Sequence, residues 1–274
     1  MSIRTLLLAC TLALSAASVQ AQSYKDLVEK AMHALEQDSL TTAQATLSEA
    51  IALEPSLMSN AILYQYLGEI HQRQGNPTEA IEAYTRGLDL SPTTLALLLG
   101  RASAYMQTDK PQRALTDYNE VIELVPNHRE ARFFRAYILT QSRRYREARA
   151  DYETIIQNDP NDEDARLGLV LLNHKDNRPQ EAMEQLDALI QLNPTHARHL
   201  LVRSDIYLQK MEYEKALADA EKAIQVEPQN ADCYLARAAI YRATKKPKLV
   251  RQDCQKALQL GADPNVVASF LQKR

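Results

Sequence analysis

The pattern of apolar and polar residues along this chain recurs with a period of 34 residues. Between Ala114 and Leu124, apolar residues return with the spacing of one helix face, which predicts an amphipathic helix. The surrounding stretch, Arg101 to Pro126, matches later stretches after shifts of 34 and 102 residues, at Arg135, Ala148, Tyr152 and Pro160 and again at Arg203, Ala216 and Pro228. A period of this length indicates an array of small modules, each of which needs its neighbours to bury its apolar face.

Nearly all the prolines belong to two periodic series, and only Pro264 lies outside both. One series follows the apolar-periodic segments, where a residue without an N–H ends a helix: Pro55, Pro92, Pro126, Pro160, Pro194 and Pro228. The other lies in first helical turns, where the missing N–H costs nothing: Pro77, Pro111, Pro179 and Pro247. Each unit is therefore predicted to be two helices with two short turns.

The best single motif match lies between Tyr64 and Pro92. It runs Tyr64-Gln-Tyr-Leu67-Gly68, followed by Ala80, Tyr84, Gly87 and Pro92. In this motif and in its period the chain resembles the tetratricopeptide repeat family. The resemblance implies an all-α fold, a right-handed superhelical α-solenoid of seven helix-turn-helix repeats with a C-terminal capping helix. The repeats span 24–57, 61–94, 95–128, 129–162, 163–196, 197–230 and 231–262, within an array of residues 22–262, and the capping helix lies in 263–274.

Arginine recurs at one position of the predicted first helices, and aspartate recurs 16 residues later in the same four repeats. The pairs are Arg101 with Asp117, Arg135 with Asp151, Arg203 with Asp219, and Arg237 with Asp253. The other three repeats have neither residue at these positions. A row of arginines could bind carboxylates or phosphates, but the joint occurrence favours an ion pair that bridges the two helices of one repeat.

The resemblance implies that the first helices line a concave groove, which we treat as the candidate partner site. Its residues are mostly apolar or aromatic, with polar residues beside them: Leu99, Met106, Phe133, Tyr137, Leu167, Leu171, His174, Leu201, Asp205 and Leu208. Exposed apolar surface of this extent is typical of a site for an amphipathic helix or an extended peptide. The alternative is that such side chains pack between neighbouring first helices; it applies least to Phe133 and Tyr137, one turn apart on the same face.

The overall charge balance of the chain disfavours two classes of partner. With 32 basic and 35 acidic residues, the chain lacks the electrostatic footprint of nucleic-acid or anionic-lipid binding, so neither partner is expected.

At the N-terminus, Arg4 precedes an apolar run, Thr5 to Ala17, that is too short to span a bilayer, and Val19-Gln-Ala21 fits cleavage after Ala21.

We therefore interpret residues 1–21 as a secretory signal peptide, which predicts export to the periplasm or cell envelope and no integral membrane span in the mature chain. A lipoprotein signal, with Cys10 as the lipidated residue, is the alternative. It is disfavoured because the apolar run continues well past Cys10.

Motifs for catalysis or cofactor binding are missing from the sequence: it has no Gly-rich phosphate loop, nucleophile elbow or CxxC. His196 and His199 are three residues apart, but no carboxylate or cysteine with metal-ligand spacing accompanies them. We therefore expect no enzyme activity, no cofactor and no metal. Cys233 and Cys254 are expected to be buried or half-buried free thiols, because they lie at different heights on antiparallel helices.

Together these features predict a non-enzymatic protein–protein interaction scaffold of the cell envelope, which binds a peptide or helical segment of a partner in its groove. Two alternatives remain. One is a structural or assembly factor that self-associates, and the other is a cell-wall accessory protein that stacks glycans on Phe133 and Tyr137. The oligomeric state separates the first alternative from the scaffold.

Overall fold

The computed structural model describes residues 22–271; the signal peptide predicted at 1–21 lies outside these residues. Within them the chain is built of helices without a β-strand, so the all-α fold is confirmed. The helices are α1 (residues 22–36), α2 (Leu40–Leu53), α3 (Asn60–Arg73), α4 (Pro77–Leu90), α5 (Leu95–Gln107), α6 (Pro111–Leu124), α7 (Arg129–Gln141), α8 (Tyr145–Asn158), α9 (Glu163–Lys175), α10 (Pro179–Leu192), α11 (Ala197–Gln209), α12 (Tyr213–Val226), α13 (Ala231–Ala243), α14 (Pro247–Gln259) and α15 (Pro264–Leu271).

Two compact units divide the described chain, an N-terminal unit up to Ile138 and a C-terminal unit from Leu139. In the N-terminal unit α3 packs against α4, and α5 packs against α4 and α6. In the C-terminal unit α9 packs against α8 and α10, α11 against α12, and α13 against α12 and α14. Each unit is therefore a succession of helices that contact their neighbours in sequence, as expected of a repeat array.

The prolines lie where the sequence predicts. Pro77, Pro111, Pro179 and Pro247 are the first residues of α4, α6, α10 and α14. The closing prolines follow two residues after a helix end; α6, for example, ends at Leu124, before Pro126. Both placements follow from the missing N–H, which is harmless in the first turn and disruptive further along.

The turn from the first to the second helix of a repeat has one conformation throughout. Its central residue adopts the left-handed region in seven turns, at Asp38, Gly75, Asp109, Arg143, Asn177, Met211 and Lys245. In the turn at Asp109, the Lys110 N–H donates to the Tyr105 carbonyl at 2.9 Å and the Asp109 N–H donates to the Met106 carbonyl at 3.3 Å. These bonds satisfy carbonyls at the helix end and fix the direction in which the second helix leaves.

Small residues occupy the crossing between the two helices of a repeat, and tyrosine fills the space beside them. Ala80, Ala102 and Ala114 have no exposed surface, and Tyr84 is 1% exposed. A Cβ atom added to Gly68 would lie 2.4 Å from Tyr84 Cε1, and one added to Gly100 would lie 2.5 Å from Tyr84 Cζ. The ring of Tyr84 is thus held between two helices that approach closely only because glycine stands at both points.

A short helix, α15, occupies the predicted capping segment. Gly261, which follows the end of α14, has a φ of +92°. At the start of α15, the Asp263 carboxylate accepts a hydrogen bond from the Asn265 N–H at 2.8 Å. Val267 is 1% exposed and packs in a cluster with Ala238 and Cys254. The helix therefore covers the apolar end of the last repeat. Among residues 22–271, none of the helices has the length and apolar character needed to cross a bilayer.

Candidate functional site

In the N-terminal unit, the predicted partner-site residues lie on α5 and α7. Leu99 and Met106 on α5 and Phe133 on α7 are half-buried, whereas Tyr137 on α7 is 46% exposed. We call these four residues the N-terminal face. Tyr137 makes no side-chain hydrogen bond, ion pair or ring contact with another residue of the described chain. Its exposed part is therefore available to a partner without breaking a hydrogen bond, ion pair or ring contact.

Phe133 is held in place by its neighbours. The Arg129 guanidinium carbon lies 5.2 Å from the centre of the Phe133 ring, within cation–π range. The Phe134 ring meets Phe133 edge-on, at 5.6 Å between centroids and 86° between planes. Phe134 in turn stacks on the buried Tyr118, at 5.8 Å and 13°. Because these contacts orient Phe133, ordering it on binding costs little conformational entropy.

In the C-terminal unit, the predicted residues lie on α9 and α11. Leu171 is 41% exposed, Leu201 and Leu208 are half-buried, and Asp205 is exposed. Together with His174 we call these the C-terminal face. One prediction needs correction: Leu167 is only 1% exposed and packs in a core cluster with Val170, Ala182 and Leu186. It is a core residue and offers no surface to a partner.

A chain of polar side chains runs along the C-terminal face. His174 Nε2 lies 2.8 Å from Gln209 Oε1, and Gln209 Nε2 donates to Asp205 Oδ2 at 2.7 Å. The first of these contacts joins α9 to α11 and the second runs along α11. The apolar surface of Leu171, Leu201 and Leu208 thus has hydrogen-bonding groups of fixed position beside it.

The predicted arginine–aspartate pairs are confirmed in three repeats. Arg101, Arg203 and Arg237 each donate two hydrogen bonds, from Nε and Nη2, to the carboxylates of Asp117, Asp219 and Asp253, at 2.7–2.9 Å. All three aspartates are buried. The pairing of Arg135 with Asp151 stays a prediction. Because the guanidinium groups are engaged inside the fold, these pairs are structural rather than a ligand site.

Two arginines of the series, Arg135 and Arg203, also reach the preceding repeat, a role that the sequence pattern did not reveal. Arg203 Nη1 donates to Asp187 Oδ1 at 2.7 Å, and Arg135 Nη1 donates to Asn119 Oδ1 at 3.0 Å. Their acceptors lie 16 residues before the arginine, just as the paired aspartates lie 16 residues after it. The hydrogen bond with Asp219 raises the pKa of Arg203, and the hydrogen bond with Asp253 raises that of Arg237, against the opposing effect of burial.

A cleft of about 390 Å³ lies next to Arg203, lined by Ile190, Tyr207, Lys215 and both of its aspartate partners. The charges in it are already paired, since Arg203 binds Asp187 and Asp219 and Lys215 binds Glu212 at 2.6 Å. The cleft therefore carries no free charge for a ligand.

Cys233 and Cys254 are buried free thiols, as predicted. Burial is the main cause that raises the pKa of Cys233 to about 11, and it raises the pKa of Cys254 as well. Neither thiol has the lowered pKa of a catalytic or redox-active cysteine.

The structure corrects the expectation that no carboxylate accompanies the two histidines. Glu163, the first residue of α9, lies beside His196 and His199 at the start of α11. Its Oε2 atom is 3.6 Å from His196 Nε2 and 3.9 Å from His199 Nε2. His199 is 1% exposed. Burial is the main cause that lowers the pKa of His199, and the neighbouring His196 lowers it further. The repeat period holds a signal for this contact, because Glu163 and Ala197 are 34 residues apart and the histidines flank Ala197.

Four family models described as tetratricopeptide repeat match residues 61–94, 99–163, 139–206 and 198–230, together more than half of the chain. A solved tetratricopeptide repeat protein from Parabacteroides merdae has a TM-score of 0.82 and 29% identity, over 91% of this chain and 98% of that chain. A comparison with curated protein sequences gives no match.

Two solved structures of lower identity share the fold alone. Yeast Tom70 has a TM-score of 0.68 at 15% identity, over 85% of this chain and 50% of its own. PilF of Pseudomonas aeruginosa has a TM-score of 0.55 at 18% identity, over 77% of this chain and 96% of its own.

Proposed function

Because the chain belongs to the tetratricopeptide repeat family, we propose that it is a non-enzymatic scaffold of the cell envelope that binds a peptide or helical segment of a partner protein. Proteins of this family typically serve protein–protein interaction. The N-terminal face and the C-terminal face, both formed by first helices of repeats, are the surfaces that this proposal assigns to the partner.

The observation that carries the proposal is the state of Tyr137. Tyr137 is 46% exposed and makes no polar or ring contact within the described chain, so a partner could bind its exposed part without breaking such a contact. It lies one helical turn from Phe133, whose orientation is fixed by Arg129 and Phe134. An oriented aromatic ring next to an exposed one is the kind of anchor that dominates binding energy at interfaces.

The C-terminal face suggests which chemistry the partner carries. Leu171 offers exposed apolar surface, and the His174–Gln209–Asp205 chain offers hydrogen-bonding groups beside it. An amphipathic helix matches such a surface, with apolar side chains toward the leucines and polar or basic side chains toward Asp205.

The envelope location rests on residues 1–21, whose positive start, short apolar run and small residue at Ala21 fit an exported protein. Expression of the full chain with fractionation and N-terminal sequencing tests this part separately. Export predicts a mature protein that begins at Gln22. An intact N-terminus on a protein that stays in the cytoplasm contradicts it.

Site-specific photocrosslinking in intact cells tests the partner site. A photoreactive phenylalanine replaces Tyr137, and a matched protein carries it in place of Leu124, which is 42% exposed on the second helix α6. The proposal predicts one defined crosslinked protein from position 137 and none of that mass from position 124. Equal crosslinking at both positions, or none at position 137, contradicts it.

A second candidate function, self-association, is favoured by exposed apolar side chains away from these faces. Leu192 is 74% exposed and Met211 is 73% exposed, both in the C-terminal unit. Size-exclusion chromatography with light scattering decides between the two functions. A monomer of the mature chain over the micromolar range excludes self-association, whereas a concentration-dependent dimer that Leu192→Ala disrupts supports it.

A further inference from the structure

We propose that Glu163, His196 and His199 form a binding site for one divalent transition-metal ion of the zinc class, which joins the start of α9 to the start of α11. One atom from each of the three side chains can be chosen so that all lie within 4.8 Å of one another. The site is separate from the proposed partner faces and does not depend on them.

The spacing of the three side chains is the first argument. Glu163 Oε2 is 3.6 Å from His196 Nε2 and 3.9 Å from His199 Nε2, which is too long for a hydrogen bond. Around a tetrahedral zinc ion with ligand bonds of about 2.0–2.1 Å, neighbouring ligand atoms are about 3.4 Å apart. The two observed distances exceed this spacing by about 0.2–0.5 Å, so a small movement of the side chains would bring the three groups around one ion.

The backbone places the two histidines on one side of their turn. The His196 N–H donates to the Asn193 carbonyl at 3.2 Å, and the His199 N–H donates to the His196 carbonyl at 3.1 Å. The imidazole rings stack, with centroids 4.3 Å apart and 17° between planes, so one ring has to rotate about its side-chain torsions for both Nε2 lone pairs to point at one ion. Both Nε2 atoms consequently approach the same carboxylate oxygen.

The carboxylate is oriented from the other side. Asn193 Nδ2 donates a hydrogen bond to Glu163 Oε1, which leaves Oε2 toward the histidines. The start of α9 is itself fixed, because the Asp162 side chain caps the helix by accepting from the Ala165 N–H at 2.9 Å. Hydrogen bonds that orient a ligating carboxylate are a regular feature of metal sites.

Burial supplies an independent observation. His199 is 1% exposed, and its Nδ1 atom has no hydrogen-bond partner in the described chain; the same is true of His196 Nδ1. A buried imidazole without a partner loses its hydration without compensation. Coordination of a metal by Nε2 would compensate part of the lost hydration of the ring, and Nδ1 would remain without a partner in the described chain.

The ligand set selects the class of metal. Two imidazoles and one carboxylate suit Zn²⁺, Ni²⁺ or Cu²⁺, whereas Ca²⁺ and Mg²⁺ prefer sites made of oxygen atoms alone. The neighbouring Arg198 is paired with Asp164 at 3.0 Å, which offsets part of its positive charge near the cluster. Three protein ligands leave one coordination position for water.

Calorimetric titration of the untagged mature protein with zinc chloride tests the site. We expect one ion per chain with micromolar or tighter affinity, and a melting temperature about 3 °C or more higher with zinc, reversed by a chelator. Glu163→Gln and His199→Gln are each expected to weaken binding at least about tenfold. His174→Gln, which changes a histidine on α9 outside the cluster, is the matched control and keeps the affinity.

The variant His196→Gln distinguishes loss of a metal ligand from loss of folding, because the His196 side chain is 41% exposed and its replacement leaves the core intact. It too must weaken zinc binding at least about tenfold while its circular dichroism spectrum and zinc-free melting temperature stay unchanged. Absence of zinc binding to the wild type overturns the proposal. So does binding that Glu163→Gln and His196→Gln leave at wild-type strength.

Discussion

The guanidinium of Arg101 and the carboxylate of Asp117 form a two-point contact between α5 and α6, with Nε to Oδ2 at 2.9 Å and Nη2 to Oδ1 at 2.7 Å. Asp117 is 2% exposed, and the Arg101 side chain is 19% exposed. Burial by itself lowers the pKa of Arg101, but the hydrogen bond and charge of Asp117 outweigh it, so the pKa is raised overall. The Arg101 guanidinium therefore stays protonated throughout the physiological pH range.

Removal of either partner leaves the other charge buried and unpaired. We expect Arg101→Ala and Asp117→Ala each to lower the free energy of unfolding by about 2 kcal/mol or more, and the double variant to lose at least about 1 kcal/mol less than the sum. Urea denaturation of the four proteins measures this coupling. The exposed pair of Arg144 and Glu147 is the control, and its coupling should be much smaller because solvent screens it. Strictly additive losses at Arg101 and Asp117 would show that the contact contributes nothing.

Gly100→Ala is expected to lower the free energy of unfolding by about 1–2 kcal/mol, because the added Cβ would lie 2.5 Å from Tyr84 Cζ. In an open helical site the same change would stabilise by about 0.5–1 kcal/mol. The background variant Tyr84→Leu removes the ring, so Gly100→Ala should become neutral or stabilising there. Thermal denaturation of the four proteins measures the effect. A loss that is the same in both backgrounds would exclude the contact with Tyr84 as its cause.

Cys233 is expected to resist thiol reagents until the protein unfolds. A pKa of about 11 leaves the thiolate at pH 8 about 100-fold less populated than for a thiol with a pKa of about 9. Because the folded pKa is the higher one, the associated stability is present below pH 9 and is lost as the pH rises toward 11. Labelling with a chromogenic disulfide reagent in buffer and in denaturant measures both rates. Rapid labelling of the native protein would contradict the burial.

The repeat period made much of the fold predictable from sequence. Pro111 and Pro126 bound α6 through local backbone chemistry, and Arg101 with Asp117 could be paired because both recur together. The contact of Glu163 with His196 was missed because these residues are 33 apart, and their approach depends on how α9 lies beside α11. Leu167 was predicted to be exposed because its position in the repeat indicates only the side of the helix on which it lies. Its burial depends on the volume of neighbouring side chains such as Leu186.

The affinity of the crosslinked partner segment, measured by calorimetry against the wild type and the Phe133→Ala/Tyr137→Ala variant, tests the central claim most directly. Loss of two aromatic anchors is expected to weaken binding at least about 30-fold while the variant stays folded. Leu124→Ala, on the second helix α6, should bind as the wild type does. An unchanged affinity in the double variant would contradict the assignment of the N-terminal face to the partner.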